Sequence, residues 1–358
     1  VCYGGSGQAR FYTPKTREVF SCNSLKMPIL LITIDVECDK GPQWEVHYPM
    51  EFRSVMDGIP NRLMPLFREY GIRPTLLLSP EVIRSDECCR LLERLPDCEL
   101  GVHLHGEFIE PDEVPSPRRT DTPQLMYPPE IEYQKLANLT SLFEARFGYR
   151  PRSFRAGRFG LSRHTLRFLA ELGYRVDSSV TPFWTHYFEA RGICNYWGAP
   201  IQPYFPDQRD PRKPGKFPVL ESPVTIIHPQ LVRWPRWLLR RIHSRSQWHK
   251  KILRILPGGP SNRPLWLRPW YSRPEEMIQV VNTVAELSPP NGTVVLNMMY
   301  HSMEVIAGAS PYPQTEEEVQ YHLQAQECLF NYLHQHYQVT SVGLSDLHNI
   351  FSDRNRHR

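Results

Sequence analysis

Two short runs of this chain carry side chains able to do chemistry. Thr33-Ile34-Asp35-Val36-Glu37 closes one apolar run, and His103-Leu104-His105 closes another. Residues two apart on a strand point to the same side, so Asp35 and Glu37 share one face and His103 and His105 share another. Two such pairs, delivered from strand ends, can converge on one ion. Two imidazoles and one carboxylate with positions left open make a catalytic rather than a structural metal set. Zn is the default for it, and Mn, Fe, Co or Ni also accept mixed N and O ligation. Singly, each run has a plainer reading. Strand-end carboxylates are commonly solvated, and a strand-end histidine often bonds a carbonyl. The conjunction of the two pairs points to a metal and to hydrolysis.

Positioning these groups requires strands, and the chain offers apolar strand candidates at Ile29 to Val36, Thr75 to Leu78, Leu100 to His105, Ser153 to Ala156, Arg175 to Val180, Val219 to Ile227 and Thr293 to Tyr300. Three stretches, FREYGIRPTLLL, FEARFGYRPRSF and LAELGYRVDSSV, repeat one design: a helical run, a glycine stop, then a strand. Gly71, Gly148 and Gly173 suit left-handed helix ends, and Ser162 suits an N-cap. Recurrent helix-to-strand units predict a parallel sheet. Asp35, Glu37, His103, His105, Arg155, Asp177 and His301 all fall at or just beyond C-terminal strand ends, the active-site face of a (β/α) barrel. A doubly wound open sheet usually carries a glycine-rich phosphate turn after its first strand, and none is present. The expected fold is therefore α/β, a distorted (β/α)7-type barrel.

At 358 residues, with 41% apolar and 22% charged side chains, the composition is ordinary globular stock. The expected organisation is an extension over 1–26, a single barrel domain over 27–350 and a polar tail over 351–358. Within the barrel, an inserted segment rich in Trp, Pro and Arg spans about 183–270. A net charge of +4 does not imply nucleic acid. The stretch 233–254 is locally basic, however, with Arg236, Arg240, Arg241, Arg245, Lys250 and Lys251 interleaved with Trp and Leu. It reads as a basic amphipathic helix, docked on the barrel or in peripheral contact with an anionic glycan or membrane surface. The eight cysteines show no C-x-x-C spacing, which fits reduced thiols. No run approaches 18 apolar residues and no signal peptide is visible. The expected location is cytoplasmic, with a membrane-peripheral position left open by the basic stretch.

Five segments resemble the polysaccharide deacetylases, the NodB-type carbohydrate esterases, and within them the WalW-like branch. They are LLITIDVE (30–37), ELGVHLH (99–105), SFRAGRFGLS (153–162), VDSSVTP (176–182) and VLNMMYHSMEVIAGASPY (295–312), and the resemblance runs from about Pro28 to Leu347. It implies a NodB-like barrel, a divalent metal and an acetylated glycan substrate. Two departures matter. The wider family usually has two adjacent acids in its first motif, whereas Val36 separates Asp35 from Glu37, so the ligand would be Glu37. Its second motif usually sets histidines four apart; here they are two apart, and Glu107 holds the four-apart position as a rival to His105.

With Glu37, His103 and His105 on the metal, Asp35 is left as general base and His301, from the last strand on the opposite side, as general acid for the departing sugar amine. The matching positions of the family imply that Arg155 orients Asp35 and that Asp177 keeps His301 protonated. Arg158 is an alternative to Arg155, and Arg158, Trp184 and Ser302 are the expected substrate contacts. Phe183, Trp197, Trp266 and Trp270 offer further rings for sugar stacking. The same site suits removal of O-acetyl groups or hydrolysis of another carbon–nitrogen bond. The unusual Asp-Val-Glu spacing keeps open an inactive, glycan-binding homologue. A metal-free glycosidase is unattractive, because an i, i+2 acid pair sits on one side of a substrate rather than flanking it.

Overall fold

The computed structural model describes residues 27–111, 123–187, 193–241, 263–289 and 292–356. In chain order the strands are β1 (Ile29–Val36), β2 (Thr75–Leu78), β3 (Glu99–Leu104), β4 (Ser153–Ala156), β5 (Val176–Asp177), β6 (Thr185–Tyr187), β7 (Ile193–Asn195), β8 (Leu220–Glu221), β9 (Ile226–Ile227), β10 (Leu265–Trp266), β11 (Val295–His301) and β12 (Thr340–Ser341). Seven of them run parallel in the order β11-β1-β2-β3-β4-β5-β8, and β12 adds to the lower end of β1. The sheet curls until its two edges meet through side chains and loop backbone. Thr225 N–H donates to Asn297 O at 2.9 Å, and Asn297 Nδ2 donates to Ser222 O and Pro223 O, each at 3.2 Å. This is the distorted seven-stranded barrel that the strand pattern predicts.

The strand limits follow local chemistry. The expected single strand over Val219 to Ile227 is two short ones, broken at Pro223, which has no N–H to give a ladder. Beyond the break, β9 turns away to pair antiparallel with β10. Gly71, Gly148 and Gly173 all take positive φ (60°, 76° and 87°), as helix stops. Ser162 Oγ accepts from the backbone N–H of His164 and Thr165 at 2.9 and 3.2 Å, but the N-cap of helix Thr165–Glu171 is His164, so Ser162 braces the turn before the helix rather than capping it.

Alternation divides each strand between two environments. The outward set, including Ile32, Ile34, Val36, Leu76, Leu78, Val102 and Phe154, is buried in one cluster with Leu136, Leu139 and Phe143 of helix Pro129–Phe147. Val280 and Val284 of helix Pro274–Leu287 and Leu329 and Phe330 of helix Glu316–His336 join the same cluster. Each such fully buried side chain contributes about 1.5–3 kcal/mol relative to exposure. The inward set is layered. Leu31, Val176, Leu220 and Val295 plug the bottom with Leu344 and Leu347. Thr33, Arg155, Ser178 and Asn297 form a hydrogen-bonded middle layer. Asp35, Glu37, His103 and His105 lie above it. Gly101 faces inward where a Cβ would stand 2.8 Å from both Leu77 Cδ2 and Ser153 O, so only glycine fits that turn of the wall.

The segment between β5 and β11 supplies the barrel strand β8 as well as the β6–β7 hairpin and the β9–β10 pair. Of the expected basic helix over 233–254, a short helix at Arg236–Leu239 is observed, and 242–262 lie outside the described residues. Residues 1–26 also lie outside them. Among the described residues no helix is long and apolar enough to cross a membrane.

Candidate active site

The two pairs singled out by spacing meet at the C-terminal mouth of the barrel. Glu37 Oε1 lies 3.2 Å from His103 Nε2 and 3.3 Å from His105 Nε2, and all three side chains are buried. Each imidazole is fixed from behind. His103 Nδ1 bonds the Arg155 carbonyl oxygen at 3.1 Å, and His105 Nδ1 bonds Glu107 Oε1 at 3.1 Å. A carbonyl oxygen can only accept, so His103 Nδ1 carries a proton and Nε2 is left facing the Glu37 carboxylate. A ring nitrogen and a carboxylate oxygen at that distance require a proton or a cation between them. Donors sharing a tetrahedral ion with bonds of about 2.0–2.1 Å stand about 3.3–3.4 Å apart, which is the spacing seen here. The backing of both rings by oxygen acceptors is the usual second layer of a histidine metal site. The set therefore fits a divalent metal.

A second trio, Asp35, Glu37 and His301, also brings donor atoms within 4.8 Å of one another. Its outer members are otherwise engaged. Arg155 Nη1 donates to Asp35 Oδ1 at 2.6 Å, while its other nitrogens reach Thr33 Oγ1 (2.6 Å), Ser178 Oγ (2.9 Å) and Ser178 O (2.8 Å). Burial opposes ionisation of Asp35, but Arg155, with His103 and His301, outweighs it and holds the carboxyl below its ordinary value. Its free oxygen, Oδ2, lies 3.7 Å from His103 Nε2. His301 Nδ1 bonds Glu304 Oε1 at 2.9 Å, and Arg268 Nη2 touches both that carboxylate (2.5 Å) and the ring (3.2 Å). Burial resists ionisation of Glu304 as well, and Arg268 and His301 overcome it, holding the group at about 2.

Glu107, the rival ligand, turns toward the back of His105 and accepts from Arg158 Nη2 at 2.7 Å. Burial opposes its charge, yet His105 and Arg158 keep it well below the carboxylate range. Glu107 thus orients His105 rather than displacing it. Arg155 and Arg158 are both engaged: the first lies beneath Asp35, the second lines the mouth. Cys38 is fully buried, burial pushes its thiol far up, and it is not among the groups whose donor atoms converge at the mouth.

Three expectations are corrected. Asp177 does not reach His301. It pairs in register with Phe154 and Glu221, which places it on the outer side of the barrel wall, where Ser179 Oγ donates to it at 2.5 Å. Glu304 is the carboxylate on His301 instead. Ser302 is wholly buried behind the site, where its Oγ accepts from Glu37 N–H at 3.4 Å and meets Ser54 Oγ at 3.3 Å; it supports a loop and does not line the cavity. His301 does not arrive from the opposite side: β11 is the immediate neighbour of β1, and His301 is in register with Asp35.

Over these groups opens a cavity of about 470 Å³ lined by Trp44, Arg158, Phe159, Trp184, His186, Tyr187, Trp266, Arg268, Tyr271 and Tyr312 beside the site residues. Trp184 and Trp266 are therefore at the mouth. Phe183 and Trp197 pack in a separate buried cluster, and Trp270 stacks between Tyr312 and His322. Lys40, Trp44, Glu304, Arg268 and Tyr312 were not expected. Glu304 had a signal, since it follows His301 by three residues, one turn of helix, as the turn Ser302–Val305 realises. Lys40 and Trp44 lie in an irregular loop whose path no periodicity encodes.

No family model matches the chain, and no curated protein matches it in sequence. Among solved structures it is similar to a Mycobacterium smegmatis protein assigned to the polysaccharide deacetylases (15% identity, 96% of both chains, TM-score 0.48). It is also similar to a 4-alpha-glucanotransferase from Thermococcus litoralis (12%, 89% of this chain and 40% of that one, 0.46). A third is a family 4 acetyl xylan esterase from Clostridium thermocellum, in complex with cobalt (10%, 90% and 91%, 0.38). At such identities and scores, neither activity nor substrate passes from those proteins to this chain.

Proposed function

We propose that this chain is a metal-dependent hydrolase of the polysaccharide deacetylase type, of its WalW-like branch, which removes an N-acetyl group from a sugar residue of a polysaccharide or glycan precursor. The observation that carries this reading is the convergence of Glu37, His103 and His105, each imidazole backed by its own hydrogen bond, beside an arginine-held Asp35 and a carboxylate-held His301.

Glu37 Oε1 and the two Nε2 atoms would hold the ion, with Zn the default. When bound, the ion supplies a Lewis acid for the acetyl carbonyl and acidifies a water. Asp35, ionised and turned by Arg155, takes the proton of the attacking water on Oδ2. His301 gives a proton from Nε2 to the departing nitrogen, and ionised Glu304 stabilises the imidazolium through Nδ1. Amide hydrolysis needs that donor, because an amine leaves poorly unless protonated. The rings of Trp44, Trp184, Tyr271 and Tyr312 offer apolar faces to a pyranose, and the cavity volume suits a sugar-sized group. Away from the mouth, Trp234 and Trp237 are exposed beside Arg236, Arg240 and Arg241, which supports peripheral contact with an anionic glycan or membrane surface.

The test is acetate release by purified protein supplied with Zn, Co or Mn, on N-acetylated and on O-acetylated oligosaccharides. The expected result is metal-dependent release from the N-acetylated series, abolished by a chelator. Release from esters alone supports the O-acetyl reading. Metal binding, or glycan binding, without turnover of either series supports the inactive homologue.

A further inference from the structure

Glu37 has two oxygens, and only one faces the histidines. The other is taken by the ammonium of Lys40, a buried ion pair in which the lysine side chain is 5% exposed and the glutamate 1%. The lysine is held there by more than charge. Its backbone N–H and that of Gly41 both donate to Ala309 O, at 2.9 and 3.0 Å. Asp39, one residue earlier, accepts from Arg53 N–H and Ser54 N–H. The Lys40 Nζ lies 5.1 Å from the centre of the Trp44 ring. A rigid loop therefore presents a cation to the carboxylate expected to bind the metal.

Each of four carboxylates at the mouth has a cation beside it without any ion. Asp35 is met by Arg155 and Glu37 by Lys40, while Glu107 with Arg158 and Glu304 with Arg268 close the outer pairs. A buried carboxylate without a partner is costly, so Lys40 serves the metal-free chain. A divalent ion entering beside Glu37 Oε1 meets that same ammonium across one carboxylate group, and the two cations repel at short range.

We propose that Lys40 is a positioning residue that acts as a resident counter-ion of Glu37: it keeps the carboxylate one-sided and the metal-free site folded, and it weakens metal affinity. The inference rests on the metal-dependent reading above. It predicts a chain that survives metal loss and loads metal reversibly, rather than one that unfolds when stripped.

The test compares wild type, K40M and K40R, each full length, by competition with a chromogenic chelator for Zn and Co and by melting with and without metal. In K40M the metal dissociation constant falls at least about tenfold, the metal-free protein melts lower, and the gap between metal-free and metal-loaded melting widens. K40R keeps its cation and stays near wild type in all three. An unchanged or weaker metal affinity in K40M, or an unchanged metal-free melting point, overturns the proposal. So does a K40M chain that cannot be recovered folded even with metal present. If none of the three chains binds metal, the metal reading itself falls and takes this inference with it.

Discussion

Two arginine–carboxylate pairs stand beside the candidate metal site, and they are wired in opposite order. At the end of β1 Asp35 takes Arg155 of β4 directly, and that contact holds the carboxylate ionised. At the end of β11 the His301 ring is backed by Glu304 of the following turn, and Arg268, from beyond β10, pairs with Glu304 and also lies 3.2 Å from the ring. One fewer link leaves a free anion facing the site; one more leaves a ring backed by an anion. On the proposed reading the same residue types serve a proton acceptor on β1 and a proton donor on β11, although Asp35 and His301 are neighbours in register. Sequence of contact, not residue identity, sets the role.

Breaking the acceptor side should cost most. D35N leaves Arg155 facing a neutral amide and removes the base, so kcat on an N-acetylated substrate is expected to fall about 10³-fold with metal content unchanged; a fall accompanied by loss of metal would make Asp35 a ligand instead. On the donor side, H301Q is expected to lose about 10²-fold on amides and much less on esters, whose alkoxide needs less help to leave. Equal losses on both would remove His301 from the donor role. E304Q tests the extra link. It should lower amide activity about tenfold and ester activity much less, because the His301 ring loses the carboxylate that holds Nδ1. It should also reduce stability by about 3 kcal/mol, because Arg268 is left buried and unpaired.

The strand pattern made most of the barrel legible. Seven apolar runs and three glycine stops needed only period-two alternation and the left-handed preference of glycine. The Glu37, His103 and His105 trio was legible for the same reason, since i, i+2 spacing at a strand end fixes which side chains share a face. That rule also contained the Asp177 correction. With Arg155 facing inward, its registered neighbours alternate, and Asp177 falls in line with Phe154 on the outer wall. What remained hidden lies in loops. Lys40 and Trp44 reach the site through a turn anchored on Ala309, a partner 269 positions away from Lys40, and Arg268 comes from the crossing between β10 and helix Pro274–Leu287.

The smallest expected effect belongs to the displaced aspartate. Asp177 and Glu221 share a buried site on the outer wall. Burial raises both, Asp177 to about 6 and Glu221 well above its ordinary value. A carboxyl raised in the folded state contributes stability that is complete below its unfolded value near 4 and is lost as pH rises through about 6. Wild type should therefore melt a few degrees lower at pH 8 than at pH 5, and D177N should flatten that slope while leaving kcat within about twofold. A large activity loss in D177N would restore Asp177 to the site from which the register excludes it.

The most direct measurement is anomalous diffraction from crystals of the protein soaked in Zn or Co. The account predicts one strong peak at the barrel mouth, about 2.0–2.2 Å from His103 Nε2, His105 Nε2 and a Glu37 oxygen, with Arg155 still on Asp35 and Glu304 still on His301. A peak bound instead by Asp35 and His301, or no peak at the mouth with metal in excess, would contradict it.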